Sequence, residues 1–175
     1  MEKIILGGGC FWCTEAIFQQ LKGVISVSSG YSGGNVINPT YEQVTTGATK
    51  HAEVIQIEFD PNIISFEQIL SVFFSTHDPT SENRQGADVG TQYRSIIFYN
   101  TEKQKEQAIK YIDNLEQIGV YKNVVTSVEP FTTFYKAEDY HKNFYLNNPN
   151  YGYCKVIIDP KIEKLKKDYE NLIVA

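Results

Sequence analysis

The chain has 175 residues, 42% of them hydrophobic and 21% charged, with a formal net charge of −5. That size and mixture describe a folded domain with a sizeable core, and the acidic balance argues against a nucleic-acid groove. No apolar run approaches the roughly 18 residues that a membrane span needs, so neither a membrane nor a nucleic acid is expected as a partner.

In chain order, residues 3–6 read as a short buried strand running into Gly7-Gly8-Gly9. The apolar core of this start is too short for a signal peptide, and the faint likeness of residues 6–10 to a lipoprotein cleavage site fails for the same reason. Residues 11–21 follow as a helix with Phe11, Ala16, Ile17 and Leu21 on one broad face, and residues 24–28 as a second strand. Residues 30–50, rich in Gly, Ser, Asn and Thr, read as a long loop with one helical turn around Tyr41 to Val44, and loops of that length usually carry function.

Residues 54–59 alternate as a strand with Ile55, Ile57 and Phe59 on one face, and Asp60-Pro61-Asn62 turns the chain. Ser65 with Gln68 forms a capping box ahead of the stripe Phe66, Ile69, Leu70, Phe73. A polar loop over 77–93 leads to a β-branched strand over 95–99. Thr101 with Gln104 then opens a helix whose inner face carries Ala108, Ile112 and Leu115, and Gly119 ends it. Residues 124–128 and 132–135 read as strands, 138–146 as a short helix and 153–158 as a strand. Pro160 opens a final helix through Leu172, with Lys161 to Lys167 on its solvated surface. With no repeat or linker, residues 1–175 form one domain, an α/β or α+β sandwich with helices packed on a mixed sheet.

Three constellations carry chemistry. Cys10 follows the glycines at a helix start, where free N–H groups favour a thiolate and lower its pKa. A small buried cysteine is the bland alternative. Cys13 completes Cys10-Phe11-Trp12-Cys13, and this spacing alone leaves two readings open, a redox pair or a packed helical neighbour. Zinc would need two more ligands, and Cys154, His51, His77 and His141 supply no second close pair. Phe11 and Trp12, adjacent on a helix, point different ways, so one can border the thiol with an apolar pocket. Glu53, in His51-Ala52-Glu53, becomes a proton donor if packed among aromatics, and an exposed strand end otherwise. Gln85 to Ser95 puts glycines, Asp88 and Tyr93 in a loop before a strand, which is a surface turn or a substrate loop. Three cysteines, an odd number, favour thiol chemistry in a reducing cytoplasm over a disulfide framework.

These pieces together resemble the A-type peptide methionine sulfoxide reductase family. The matching stretches are Gly8-Gly9-Cys10-Phe11-Trp12, Gly30-Tyr31-Ser32-Gly33-Gly34, Tyr41-Glu42-Gln43-Val44 with Gly47, and His51-Ala52-Glu53. They continue through His77-Asp78-Pro79-Thr80, Gln85-Gly86 with Asp88, Gly90-Thr91-Gln92-Tyr93-Arg94-Ser95, Ala137-Glu138-Asp139-Tyr140-His141 and Tyr153-Cys154. The order of motifs over residues 4–160 makes the resemblance far more specific than any one of them.

The resemblance implies a two-layer sandwich of the ferredoxin-like plait type. It implies Cys10 as nucleophile, Phe11 and Trp12 around the substrate methyl, and Glu53 as the acid protonating the sulfoxide oxygen. Tyr41 and Tyr93 would bond the same oxygen and Asp88 would hold the substrate. The substrate is methionine S-sulfoxide, free or in oxidised proteins, and no metal or organic cofactor is implied. The product thiol state is a sulfenic acid, returned through a disulfide by thioredoxin or another dithiol, in a cytoplasmic monomer serving oxidative-damage repair. Family position points to Cys154 as the resolving thiol. Here it precedes a run read as a strand, which would restrain it, and Cys13 competes one helical turn from Cys10. An outside thiol acting alone is the third route. The competing function is a general thiol-disulfide oxidoreductase using Cys10 and Cys13.

Overall fold

Glu2–Gly7 (β1) reads as an unbroken apolar run because both its faces are covered: Ile4 and Leu6 enter one core and Ile5 the other. In the computed structural model, which describes residues 1–174, the chain continues as α1 (Phe11–Phe18), β2 (Val24–Ser32), α2 (Tyr41–Thr45), β3 (Ala52–Phe59) and α3 (Phe66–Thr76). A small hairpin β4 (Arg84–Gln85) and β5 (Asp88–Val89) precedes β6 (Ile96–Tyr99) and α4 (Glu102–Gln117). The last third holds β7 (Ser127–Pro130), β8 (Phe134–Lys136), α5 (Phe144–Asn147) and α6 (Asp159–Asp168).

Six strands form one mixed sheet in the order β7-β6-β1-β3-β2-β8, antiparallel throughout except for the β6–β7 pair. β1-α1-β2 and β3-α3-β6 are interleaved crossovers, so β1 and β3 lie side by side at the centre. Helices pack over the face that carries Ile4, Leu6, Ile55, Ile57 and Phe59. The opposite face carries a smaller core of Ile5, Ala52, Val54, Ile96 and Phe98, against which Phe131 and Phe134 pack. The alternation of β3 shows only the first of these faces, because Ala52 and Val54 at its even positions are apolar and buried as well.

The caps explain where helices begin. Ser65 Oγ accepts the Gln68 N–H at 3.1 Å and Gln68 Oε1 accepts the Ser65 N–H at 2.9 Å, the reciprocal box read from sequence. Thr40 and Gln43 make a second box at α2. At α4, Thr101 Oγ1 accepts from Gln104 N, but Gln104 Oε1 turns to the N–H of Asn100 and its amide donates to Lys3 O. A buried glutamine thereby ties α4 to β1.

Four readings need correction, besides a final helix that ends at Asp168 and not at Leu172, because Tyr169 leaves the helical conformation at φ −131°. β2 runs on through Ser32 because β3 and β8 flank Gly30 to Ser32 and satisfy both sides of the ladder, which overrides their loop-like composition. The strands expected over 124–128 and 132–135 begin at Ser127 and Phe134. The helix expected over 138–146 is broken by Asn143, at φ 54°, into a 3₁₀ turn and α5. The strand expected over 153–158 is instead a π turn, Cys154–Ile158, continuous with α6. Its β-branched run suggested a strand, but Cys154, Ile158, Ile162 and Leu165 make a buried stripe at helical spacing while Val156 is 70% exposed. Beyond α6 the chain returns to the foot of α1: Leu172 O accepts the Lys22 N–H, Val174 N–H donates to Gln20 O, and Leu21 bridges Ile173.

A strand would put Val156 and Ile158 on one face, whereas the helical stripe buries Ile158 and exposes Val156. Ile158→Ala is expected to lower stability by about 2–4 kcal/mol and Val156→Ala by no more than about 0.5 kcal/mol, measured by denaturant titration. Equal losses at both positions would restore the strand.

Candidate active site

β1 ends in glycines because the chain must turn sharply between two packed side chains. A Cβ on Gly8 would lie 2.9 Å from the His77 ring, and Gly9 adopts φ +90° with a Cβ position 2.8 Å from Gln85. The His77 ring is clamped: Nδ1–H donates to Phe73 O at 2.5 Å and Nε2 accepts from Ser95 Oγ at 2.7 Å. Burial lowers its pKa to about 4, so the ring stays neutral beneath the glycines. The turn delivers Cys10 as the N-cap of α1, with ψ 131° and no capping bond from its side chain. The residue is 7% exposed and its thiol is free.

Glu53 supplies the bond that Cys10 does not. It lies on β3, on the helix-covered face, and its Oε1 accepts the Phe11 N–H at 3.1 Å, 42 positions away in the chain. The carboxyl is 1% exposed, and Oε2 has no partner. Burial raises the Glu53 pKa to about 8; the Phe11 N–H opposes that shift and the Asp88 charge adds to it. Near neutral pH the group is therefore a buried acid with one oxygen committed to the helix and the other free to donate.

Cys10 departs from the expectation for a helix start. Burial first, then the charges of Glu53 and Cys13, push its thiol well above the usual value, while the Trp12 N–H pulls the other way and loses. Burial outweighs the dipole because the opening of the helix already faces a carboxyl. Cys10 and Glu53 thus compete for a single negative charge.

Around them stand phenols and aromatic rings. Burial, then the Glu53 and Cys10 charges, hold the Tyr41 and Tyr93 hydroxyls above their ordinary range, so both remain donors. Tyr41 is placed by Glu138, whose Oε2 accepts the Tyr41 N–H and whose Oε1 accepts the Tyr31 hydroxyl, both at 2.8 Å. Trp12 lies flat on Phe144, with centroids 3.7 Å apart and planes at 5°, and its Nε1–H donates to His141 Nδ1 at 2.9 Å. Phe11 is fully enclosed between Tyr31, Tyr41 and His141. The two aromatics diverge as their adjacency on a helix requires: Trp12 fronts the site and Phe11 backs it.

On the other side of Cys10 an open cleft of about 660 Å³ is lined by Cys10, Cys13, Asp88, Tyr153, Ile157 and Lys161, among others. Asp88 sits on the β4–β5 hairpin, and its Oδ2 accepts the Tyr153 hydroxyl at 2.6 Å. Gln85 fixes that hairpin by bonding both the N–H and the C=O of Asp78. Cys154 is fully buried, and no atom of it lines the cleft. Among the described residues no group of three His, Cys, Asp or Glu side chains is arranged to hold a metal ion.

The structure thus brings Cys10, Glu53, Tyr41, Tyr93, Phe11 and Trp12 together, with Asp88 and Cys13 on the cleft side and Cys154 apart. Three placing residues escaped the sequence reading: Glu138, His141 and Tyr153. Each lies in a quoted stretch near the C-terminus, yet its partner is far away in sequence; Tyr153 and Asp88 are 65 positions apart.

The raised pKa of Glu53 makes stability depend on pH in a defined direction. Its folded value of about 8 exceeds the roughly 4.3 of an unfolded glutamate. The native state therefore binds the extra proton between these values, and stability falls as pH rises from about 4 to about 8. Glu53→Gln keeps the acceptor for Phe11 and removes the titration. Denaturant titrations should show the variant gaining on the wild type between pH 5 and pH 8; a constant gap would mean that Glu53 ionises normally.

Known proteins match this chain over nearly its whole length. The family model described as peptide methionine sulfoxide reductase matches residues 2–172. A protein of Sulfolobus acidocaldarius named peptide methionine sulfoxide reductase MsrA is 57% identical over 98% of this chain and 97% of its own length. Among solved structures, Mxr1 from Saccharomyces cerevisiae in reduced form superposes with a TM-score of 0.80 at 31% identity, covering 87% of this chain and 88% of that one. The same yeast protein in complex with Trx2 shares the fold at a TM-score of 0.56 and 21% identity, over 82% and 84% of the two chains. Since the family match takes in the Cys10 turn, the Glu53 strand and the Asp88 hairpin alike, the chain belongs to the peptide methionine sulfoxide reductases.

Proposed function

We propose that Cys10 reduces methionine S-sulfoxide, free or within oxidised proteins, with Glu53 as the acid. The observation that carries this reading is the unpartnered, buried Glu53 Oε2 beside the Cys10 thiol. A sulfoxide is a poor electrophile at sulfur until its oxygen takes a proton. Glu53 gives that proton, and the Tyr41 and Tyr93 hydroxyls hydrogen-bond the same oxygen. Trp12, backed by Phe11, takes the methyl group against its ring face, and Asp88 holds the substrate's polar side.

The Cys10 sulfur attacks the sulfoxide sulfur and the oxygen passes to Cys10. Methionine leaves reduced by two electrons, and Cys10 becomes a sulfenic acid, oxidised by two. The Cys10 proton replaces the one Glu53 gave up, so both groups enter the step protonated and Glu53 leaves it protonated again. A second thiol then closes a disulfide with loss of water, and a dithiol such as thioredoxin restores both thiols by exchange. This agrees with the yeast protein having been crystallised with Trx2. We place this activity in one catalytic domain, residues 1–175, acting as a monomer in the reducing cytoplasm, where three free cysteines are stable. It serves repair of oxidative damage and uses no metal or organic cofactor.

Cys10→Ser should abolish methionine formation from methionine S-sulfoxide with dithiothreitol as reductant; normal turnover would remove Cys10 from the reaction. Glu53→Gln should slow the single-turnover rate by about 10²-fold or more while Cys10 stays titratable. The wild-type single-turnover rate should fall as pH rises through about 8, where Glu53 loses its proton. A rate that rises through this range would assign the proton to another group.

A further inference from the structure

We infer that Glu15 is a positioning residue for the methyl-binding ring: with Ser29 it holds a buried water molecule against His141, and that water keeps Trp12 in place at the site. The inference rests on the reductase reading above, which gives Trp12 the methyl group. Glu15 on α1 is 1% exposed, Ser29 on β2 is 7% exposed and His141 is fully buried. Five buried side-chain atoms among the described residues have no hydrogen-bond partner, and three of them are Glu15 Oε2, Ser29 Oγ and His141 Nε2. These three residues line one pocket of about 50 Å³. A water needs roughly 10–15 Å³ and two to four polar partners. Buried polar groups are almost always paired, so three that converge on one space point to a shared ligand and not to three separate losses.

Donors and acceptors balance around one water. Trp12 donates its Nε1–H to His141 Nδ1 at 2.9 Å. Burial lowers the His141 pKa against the pull of the Glu138 and Glu42 charges, so the ring is neutral and carries one proton. With Nδ1 committed as acceptor, that proton is on Nε2 and needs an acceptor on the pocket side. The water accepts it, accepts a second hydrogen from Ser29 Oγ, and donates to Glu15 Oε2. The sheet aims Ser29 at this space. It pairs with Ile55, on the helix-covered face, and its carbonyl accepts the Ala137 N–H at 2.9 Å, which brings the segment leading to His141 alongside.

Glu15 acts on Trp12 from a second direction. Burial raises its pKa, and hydrogen bonds from the Asn143 and Phe144 N–H groups oppose that rise. The carboxyl therefore fixes the opening of α5, which carries the Phe144 ring stacked on Trp12. One acid thus governs both contacts of the indole, its face through Phe144 and its N–H through the water and His141. Without the water, the His141 proton is better placed on Nδ1, where it meets the Trp12 N–H donor to donor. The indole then loses its acceptor and the methyl pocket loses a fixed wall.

Trp12 is the only tryptophan, so its indole N–H is a single NMR signal whose exchange with solvent reports the bond to His141. A high-resolution crystal structure of the wild type should show water density within hydrogen-bond distance of Glu15 Oε2, Ser29 Oγ and His141 Nε2. Glu15→Gln puts an amide donor where the water needs an acceptor, and indole exchange should quicken by about tenfold or more. In the same variant KM for methionine S-sulfoxide should rise about tenfold with kcat within about threefold, the pattern of lost uniform binding. Ser29→Ala leaves the opening of α5 untouched and should quicken indole exchange by about threefold or more, which keeps the inference testable if Glu15→Gln misfolds. A dry pocket in the wild type, or indole exchange and KM unchanged in the folded variants, would overturn the inference. Wild type that makes no methionine would instead overturn the reductase reading beneath it, since water density and indole exchange are read without turnover.

Discussion

A carboxyl from the middle of the sheet accepting the first N–H of a helix is the interaction on which the site depends. Without the Phe11 to Glu53 bond, the opening of α1 would face solvent or the Cys10 side chain, and the acid would have no fixed position. One N–H is too weak to keep a buried carboxylate charged. Desolvation exceeds the worth of a single hydrogen bond, and the direction of the Glu53 shift reflects that imbalance. A second N–H on Oε2 would have made a good helix cap and a poor acid.

The fold is arranged around that contact. β1 and β3 are neighbours, so the turn leaving β1 and the side chain at the start of β3 meet at one end of the sheet. Tyr31, opposite Glu53 in the register, carries the wall outward through Glu138 to Tyr41. The clamped His77 ring supports the glycine turn from below, and the Asp88 hairpin closes the cleft from the side. Rigid strands thus hold the acid while the nucleophile rides on a turn, which suits a sulfur that must bond first to a substrate and then to another thiol.

Much of this was legible in the residues. The strands carrying Ile4 and Ile57, the Ser65 and Thr101 caps and the glycine stop of α4 follow from local rules that act within a few positions, and all hold. The order of motifs carried the family and with it the Cys10, Glu53 and Tyr93 grouping. What local rules cannot supply is the meeting of distant groups: Tyr153 with Asp88, or Trp12 with His141, 129 positions apart. Nor do they weigh burial against a helix dipole, which is why the Cys10 thiol lies on the opposite side of its expected value. The run Val156-Ile157-Ile158 misled for a related reason: β propensity describes fit to a half-buried surface, and here the surface offered was the groove beside α1.

The return of the chain to Gln20, Leu21 and Lys22 has a mechanical consequence. It pins the foot of α1 to the C-terminal segment, while chemistry happens at its head. A helix fastened at one end cannot slide to relieve a change in bonding at the other. The displacement must then be absorbed in series by the softest link, the glycine turn in front of Cys10. The molecule behaves as a stiff lever with a compliant tip, and the glycines set that compliance as much as they set the geometry.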